Sequence, residues 1–476
     1  MEIIYSIWNA LFNNVISRPQ IFIGLIVIVG YILLKKKPRE VFAGFIKAVV
    51  GYKILQVGAK NLLNTVSPII NGLQARFNIS AAVADPNFGL TAAQAALESI
   101  GESAAFAMVT LLIAFIWNII LLVFRKQTKI RTLFTTGHIM VKQSTVATWI
   151  IYFLLPGCRN MWGVLLVGLL CGTYWSVFSN LTVESTQDLT EGAGFAIGHQ
   201  QMLGVWIADK FAPLFGKKED GVDNIKLNGV FALFDDYVVG TSLVMMLFFG
   251  IILLVIGKPT MMELDPTCAP KLWYWLYILE TCCAFAVNLV ILKTGVRMFV
   301  NEMVESFRGI SSKMVGVMPA VDCAATYGFG SSNAVTLGFL FGAIGNVIGV
   351  VILLLTKCPV LIIPGFVPMF YDNATLGLYA NNKGGLKALI AICLGSGIIQ
   401  VLGSAFAIQL FGMAAFGGYV GNFDYATLWP AIGLLMKYLA VPGIILAILG
   451  MLLIPQFQYA KNKENYWKVT EALEED

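Results

Sequence analysis

Charge is scarce in this chain. Asp, Glu, Lys and Arg make up only 12% of its 476 residues, about half the roughly 25% usual for a soluble protein. Hydrophobic residues reach 58% and the mean hydropathy is +0.78. A water-soluble body needs a polar exterior, and too little polar sequence is present to supply one. The net charge is only +5, and the basic residues fall in short clusters between apolar runs. That pattern reads as orientation charge, not as a surface for nucleic acid. Eight cysteines occur without a CxxC pair or metal-like spacing, which excludes a disulfide framework and a zinc site. There is no GxxxxGK[ST] loop, so no nucleotide-driven motor is expected in this chain, and there is no HExxH. No arginine ladder marks a voltage sensor. Histidine is almost absent, with two in the whole chain.

What is abundant is the long apolar run. A spanning helix needs about 20 mostly apolar residues. Eleven candidate spans satisfy this: 19–35, 42–66, 103–124, 132–155, 162–183, 230–257, 271–304, 333–356, 360–380, 387–413 and 429–455. The fold class expected is therefore an all-α polytopic membrane protein. The first run is followed by Lys35, Lys36 and Lys37 without a small-residue cleavage site, so it reads as a retained helix and not a signal peptide. Positive charge sets direction. Lys35–Lys37 and Arg39, then Arg125, Lys126, Lys129 and Arg131, then Lys210, Lys217, Lys218 and Lys226, follow odd-numbered spans. So do Arg308 with Lys313, Lys383, and Lys461, Lys463 and Lys468. The opposite side is sparse, with Arg76, Arg159, Lys258, Lys271 and Lys357. The expected topology is N-terminus outside and C-terminus cytoplasmic. Asp235 and Asp236 read as interfacial, and the tail after Pro455 as too short for a soluble carrier domain.

The segment from Gly58 to Asp85 echoes the segment from Gly295 to Asp322. Gly72 corresponds to Gly309, Asn64 to Asn301, Lys60 to Arg297 and Arg76 to Lys313. Five spans separate the two, an odd number, so the copies would point in opposite directions across the membrane. Inverted-topology repeats build many transporters, with the substrate site near the midplane. The stretches 67–102, 184–229 and 305–332 are Gly- and Ala-rich without being clean spans, and read as re-entrant hairpins; 361–380 resembles them. The expected organisation is a first repeat over 1–229, a second over 230–428, and a last span with its tail over 429–476.

Several polar residues sit where lipid or packed protein is expected. His138 lies in Gly137-His138-Ile139-Met140-Val141-Lys142-Gln143 and His199 in Gly198-His199-Gln200-Gln201. Each follows a glycine and precedes a glutamine, groups that suit a hydroxyl-rich molecule; each histidine could equally bond a neighbouring helix. Asp322, in Ala320-Val321-Asp322-Cys323-Ala324, is an ionisable group in a small apolar stretch. It reads as a substrate ligand and possible general base, or as a helix cap. Asp85, its counterpart, reads as a turn residue. Pro364-Gly365-Phe366-Val367-Pro368 breaks a helix, and Lys142 and Lys437 read as snorkelling.

Together, Thr136-Gly137-His138-Ile139-Met140, Gly194-Phe195-Ala196-Ile197-Gly198-His199-Gln200-Gln201, Gly295-Val296-Arg297-Met298-Phe299-Val300 with Asp322-Cys323-Ala324-Ala325, and Ile362-Ile363-Pro364-Gly365-Phe366-Val367-Pro368 resemble the ascorbate-specific membrane component (EIIC) of the bacterial phosphoenolpyruvate-dependent phosphotransferase system. The resemblance runs over nearly the whole chain. It implies eleven spans in two inverted halves, a mobile core and a homodimer scaffold in the bacterial inner membrane. It implies L-ascorbate as substrate, with no metal or cofactor. A separate cytoplasmic IIB subunit, charged through IIA, would carry phosphate on a cysteine and yield ascorbate 6-phosphate. This chain would be the translocating subunit, with the phosphate carriers on other chains. The substrate-binding residues implied are His138, His199, Gln200 and Asp322, with Phe88 and Gln143, and Asp322 is also the catalytic candidate. The family often has two glutamines after His-Ile-Met-x; here the first is Lys142, which would favour an anion. From the residues alone, an ion-coupled secondary transporter of a small sugar acid or polyol shares the inverted repeat.

Overall fold

The computed structural model describes residues 18–223, 225, 237–311 and 316–471. Lys226, Asp235, Asp236 and Lys313 lie outside them. Helix α1 (Pro19–Leu33) and the long α2 (Pro38–Phe77) lead into strand β1 (Ser80–Ala84) and α3 (Pro86–Ser99). Then come α4 (Ala105–Val123), β2 (Thr132–Phe134), α5 (Gly137–Leu154), α6 (Met161–Leu181), β3 (Ala196–Ile197) and α7 (Met202–Phe211). The second stretch holds α8 (Tyr237–Ile256), α9 (Tyr274–Ser311), β4 (Met318–Val321), α10 (Ser332–Leu355), β5 (Val360–Pro364), α11 (Asn373–Leu410), β6 (Gly418–Tyr419) and α12 (Leu428–Lys461). Short helical turns connect them.

Among the described residues, eight helices are long and apolar enough to cross a membrane, and Ile23–Leu33 is a shorter apolar helix. Large apolar side chains such as Val29, Phe42, Val123, Leu254, Leu355 and Phe457 are exposed on these helices, which a bilayer tolerates and water does not. The chain is an all-α, multi-pass membrane protein. The expected spans 360–380 and 387–413 run into one helical stretch, Pro368–Leu410, bent at Gly385, which has φ +63°. A Cβ there would lie 2.5 Å from the Lys217 carbonyl oxygen, so the bend requires glycine. The span expected at 132–155 is β2 followed by α5, and α5 is buried along most of its length.

Local chemistry sets the ends. Pro38 starts α2 with Lys37 N donating to Glu40 Oε2 at 2.9 Å, and Asn78 ends it in the left-handed region, φ 54°. The small residues Ser80-Ala81-Ala82-Val83-Ala84 then fit as a strand between two others. The two glycines that open the repeated segments meet each other's helix. A Cβ on Gly58 would lie 2.5 Å from Leu292 N on α9, and one on Gly295 would lie 2.3 Å from Leu55 N on α2. Only small residues allow backbones this close, so α2 and α9 cross where the sequence repeats.

Six short strands among the described residues were not foreseen. They form two parallel three-stranded sheets, ordered β5-β1-β6 and β2-β4-β3. In each, the central strand comes from one half of the chain and both neighbours from the other. Each of the four segments 67–102, 184–229, 305–332 and 361–380 contains one of these strands. Each central strand ends in an aspartate that caps the next turn: Asp85 accepts from Asn87 N at 2.8 Å and Asp322 from Ala324 N at 3.0 Å. At the edge of the second sheet, the fully buried Arg131 pairs with Glu184 at 2.7 Å and stacks its guanidinium 3.6 Å from the Tyr466 ring, fixing the segment after α12 against the start of β2.

Candidate functional site

The second sheet brings three chemical residues to one place. In β2, Phe134 lies opposite Ala320 of β4, and Thr135 N continues the ladder to the Ala320 carbonyl at 3.0 Å. The chain then turns into α5, placing His138 on its first turn. On the other side Ile197 of β3 lies opposite Val321, and Gly198 N bonds the Val321 carbonyl at 2.7 Å. A Cβ on Gly198 would sit 2.7 Å from the Ala320 oxygen, which explains the glycine before His199. His138, His199 and Asp322 thus all follow the carboxyl ends of parallel strands, where open parallel sheets place ligands.

Asp322 divides its two oxygens. Oδ1 caps the turn at Ala324, and Oδ2 lies 3.2 Å from His138 Nε2. His199 Nδ1 contacts Gln201 Oε1. A cavity of about 330 Å³ opens over this group, lined by His138, His199 and Asp322 with Lys142, Lys293 and Arg297. Asn87, Val296 and Tyr371 also face it. A second, wider hollow adjoins it, and His138 and Asp322 belong to both. Donor atoms of His138, His199 and Asp322 lie within 4.8 Å of one another, a spacing that would admit a metal ion. Three cationic side chains around the same cavity oppose a bound cation and favour an anion.

The remaining residues named by resemblance stand behind this group. Gln143 Nε2 donates to the His199 carbonyl at 3.3 Å, and its Oε1 accepts from the Trp175 indole. Gln143 therefore braces the His199 backbone. Gln200 is fully buried, and among the described residues neither polar atom of its side-chain amide has a partner. Phe88 is buried and packs on Phe285, ring centroids 6.0 Å apart, while its neighbour Asn87 reaches the cavity. Lys142 is not at a lipid boundary: it is 6% exposed and faces the cavity. Sequence reasoning missed Lys293 as a site residue and met Arg297 only as a repeat match. The signal was available, since two cations four residues apart inside an apolar helix share a face. Nothing in the sequence marked Asn87 or Tyr371.

Over residues 14–424 the sequence matches the family described as PTS system sugar-specific permease component, EIIC-GAT. The chain belongs to this permease family. The permease is also 30% identical over 444 residues to the ascorbate-specific PTS system EIIC component of Mycoplasma pneumoniae, a match covering 85% of this chain and 67% of the relative. This sugar permease of the phosphotransferase system carries a polar cavity within an apolar bundle.

Proposed function

We propose that the permease takes up L-ascorbate and presents it for phosphorylation by a separate IIB subunit, releasing L-ascorbate 6-phosphate inside. The observation that carries this is the meeting of His138, His199 and Asp322 at three strand ends over one cavity. The name of the Mycoplasma relative supports the substrate. His138 and His199 bond the hydroxyl and enediol groups. Asp322 orients the hydroxyl that is to be phosphorylated and takes its proton as the oxygen attacks phosphorus. The sulfur–phosphorus bond of the donor cysteine breaks and the thiolate leaves. Gln143, Gln200 and Phe88 hold the cavity's shape from behind. The more highly charged product cannot recross lipid, which makes uptake irreversible.

The same reading takes the two sheets as the centres of an inverted repeat, with the N-terminus outside, the C-terminus cytoplasmic and the chain paired as a homodimer in the bacterial inner membrane. The shared strand–aspartate–turn plan supports the repeat, and the clusters of basic residues support the orientation. Uptake of labelled ascorbate into proteoliposomes tests the coupling. Accumulation as ascorbate 6-phosphate, dependent on the phosphorylated IIB subunit enclosed within, is expected. Undiminished accumulation of unmodified ascorbate without that subunit would defeat the proposal.

A further inference from the structure

The hold on the His199 ring fixes a chemical property as well as a position. His199 is buried and lines the cavity, and Gln143 braces its carbonyl from α5. Its ring meets Gln201, which is fully buried: Nδ1 contacts Oε1 of that side chain. The same Oε1 accepts from Gln200 N at 3.0 Å. A backbone N–H can only donate, so the atom facing it is the amide oxygen and not the amide nitrogen. Turning the amide over would set NH2 against N–H. The oxygen in turn can only accept, so the proton it meets on the imidazole sits on Nδ1. In the neutral ring, Nε2 then carries a lone pair and no proton.

Gln201 is free for this because a residue distant in sequence does its local work. It stands at the N-cap of α7 without capping it. The first-turn amides need an acceptor, and Asp424, beyond β6, supplies it. Leu203 N and Gly204 N donate to its Oδ1 at 3.1 and 3.4 Å, and Tyr174 OH of α6 donates to its Oδ2 at 2.7 Å. Asp424 also donates its own N–H to the Gln200 carbonyl at 3.1 Å. The turn is thus clamped on both sides of Gln201.

We infer that Gln201 is a positioning residue that sets the tautomer of His199, so that Nε2 meets the substrate as a hydrogen-bond acceptor. The inference deepens the proposed function, and rests on this cavity being the substrate site. It assigns a class of group to one point of the cargo. A hydroxyl donates to Nε2, whereas a carboxylate, carbonyl or ether oxygen has no proton to give and is set against a lone pair.

The test uses the two-histidine composition of the chain. Full-length permease labelled with nitrogen-15 histidine gives ring signals from both residues, and the signals missing from His199→Ala belong to His199. Nitrogen shifts and couplings to ring hydrogens separate the Nδ1–H form, the Nε2–H form and the imidazolium. The wild type without ligand is expected to show the Nδ1–H form at neutral pH. Gln201→Leu, close in size, should bring in the Nε2–H form and weaken ascorbate binding in calorimetry about fivefold, the net worth of one neutral hydrogen bond. Gln201→Glu keeps an acceptor oxygen and should retain the proton on Nδ1. An Nε2–H form or an imidazolium in the wild type, or a Gln201→Leu spectrum like that of the wild type, would overturn the inference. The wild-type spectrum decides even where a variant fails to fold. Failure of the wild type to bind ascorbate, with the Nδ1–H form present and lost in Gln201→Leu, would remove ascorbate from the proposed function and leave the role of Gln201 standing.

Discussion

The two sheets share one plan, yet the aspartate of only one of them lines the cavity. In the first, Asp85 is 1% exposed and its outer oxygen is closed by a backbone donor, Val367 N, at 3.1 Å. In the second, Asp322 makes the same cap, but its outer oxygen meets a side chain, His138, and its carboxylate is 37% exposed. A strand, an aspartate and a turn therefore do not by themselves define function. The donor that meets the second oxygen decides whether the aspartate is a structural peg or a group with free chemistry. Beyond β5 the chain continues as Gly365-Phe366-Val367 and offers an amide; beyond β2 it continues through Gly137-His138 and offers an imidazole.

Twin substitutions would break or sharpen this contrast. Asp322→Asn should leave the fold intact, because the amide oxygen can still cap Ala324, but should reduce coupled ascorbate uptake by about 100-fold or more, the lower range for loss of a general base. The check is initial uptake rate in proteoliposomes containing phosphorylated IIB. Asp85→Asn should do the reverse. It sets an amide against Val367 N–H inside the protein, costing about 2 kcal/mol of stability, while ascorbate affinity per folded molecule stays within twofold; thermal unfolding in detergent and calorimetry read the two effects. Equal loss of uptake from both, with both folded, would show that the halves are not chemically distinct.

Smaller effects should sort ligands from supports. His199→Ala removes a cavity-lining group and should weaken ascorbate binding about tenfold, or about 1.4 kcal/mol, measured by calorimetry. Phe88→Leu should lose only the ring contact with Phe285, about 1 kcal/mol of stability, with affinity unchanged. A larger effect of Phe88→Leu on affinity than on the melting temperature would move Phe88 from support to ligand.

Much of this architecture was legible because apolar length is a coarse, strong signal. The helices Met161–Leu181 and Ser332–Leu355 fall within a residue or two of the spans expected at 162–183 and 333–356. The glycine-preceded histidines and the lone Asp322 stood out because polar groups in apolar sequence are rare. The illegible parts depended on partners distant in sequence. Strands of two to five residues such as Ala196–Ile197 carry no periodicity to read, and exist only because β4 lies beside them. Residue type and neighbourhood marked Gln143 and Gln200, but not which way their side chains face. Lys142 looked like a snorkelling residue because a run of apolar neighbours does not reveal whether lipid or a watery hollow lies alongside. The bend at Gly385 was anticipated only as a gap between two spans.

Each central strand has both its neighbours in the opposite half of the chain. During synthesis β1 is therefore made long before β5 and β6 exist, and its peptide groups have nothing to bond. An unsatisfied strand is costly in hydrocarbon, and such distant pairing is slow to form. The nascent first half must wait, held by the insertion machinery or at the lipid headgroups, until the second half arrives to thread beside it. Neither half expressed alone is expected to mature, and co-expressed halves would have to find each other to build even one sheet. The sheet that carries His138, His199 and Asp322 can close as soon as β4 is made, before β5 and β6 exist to complete the other.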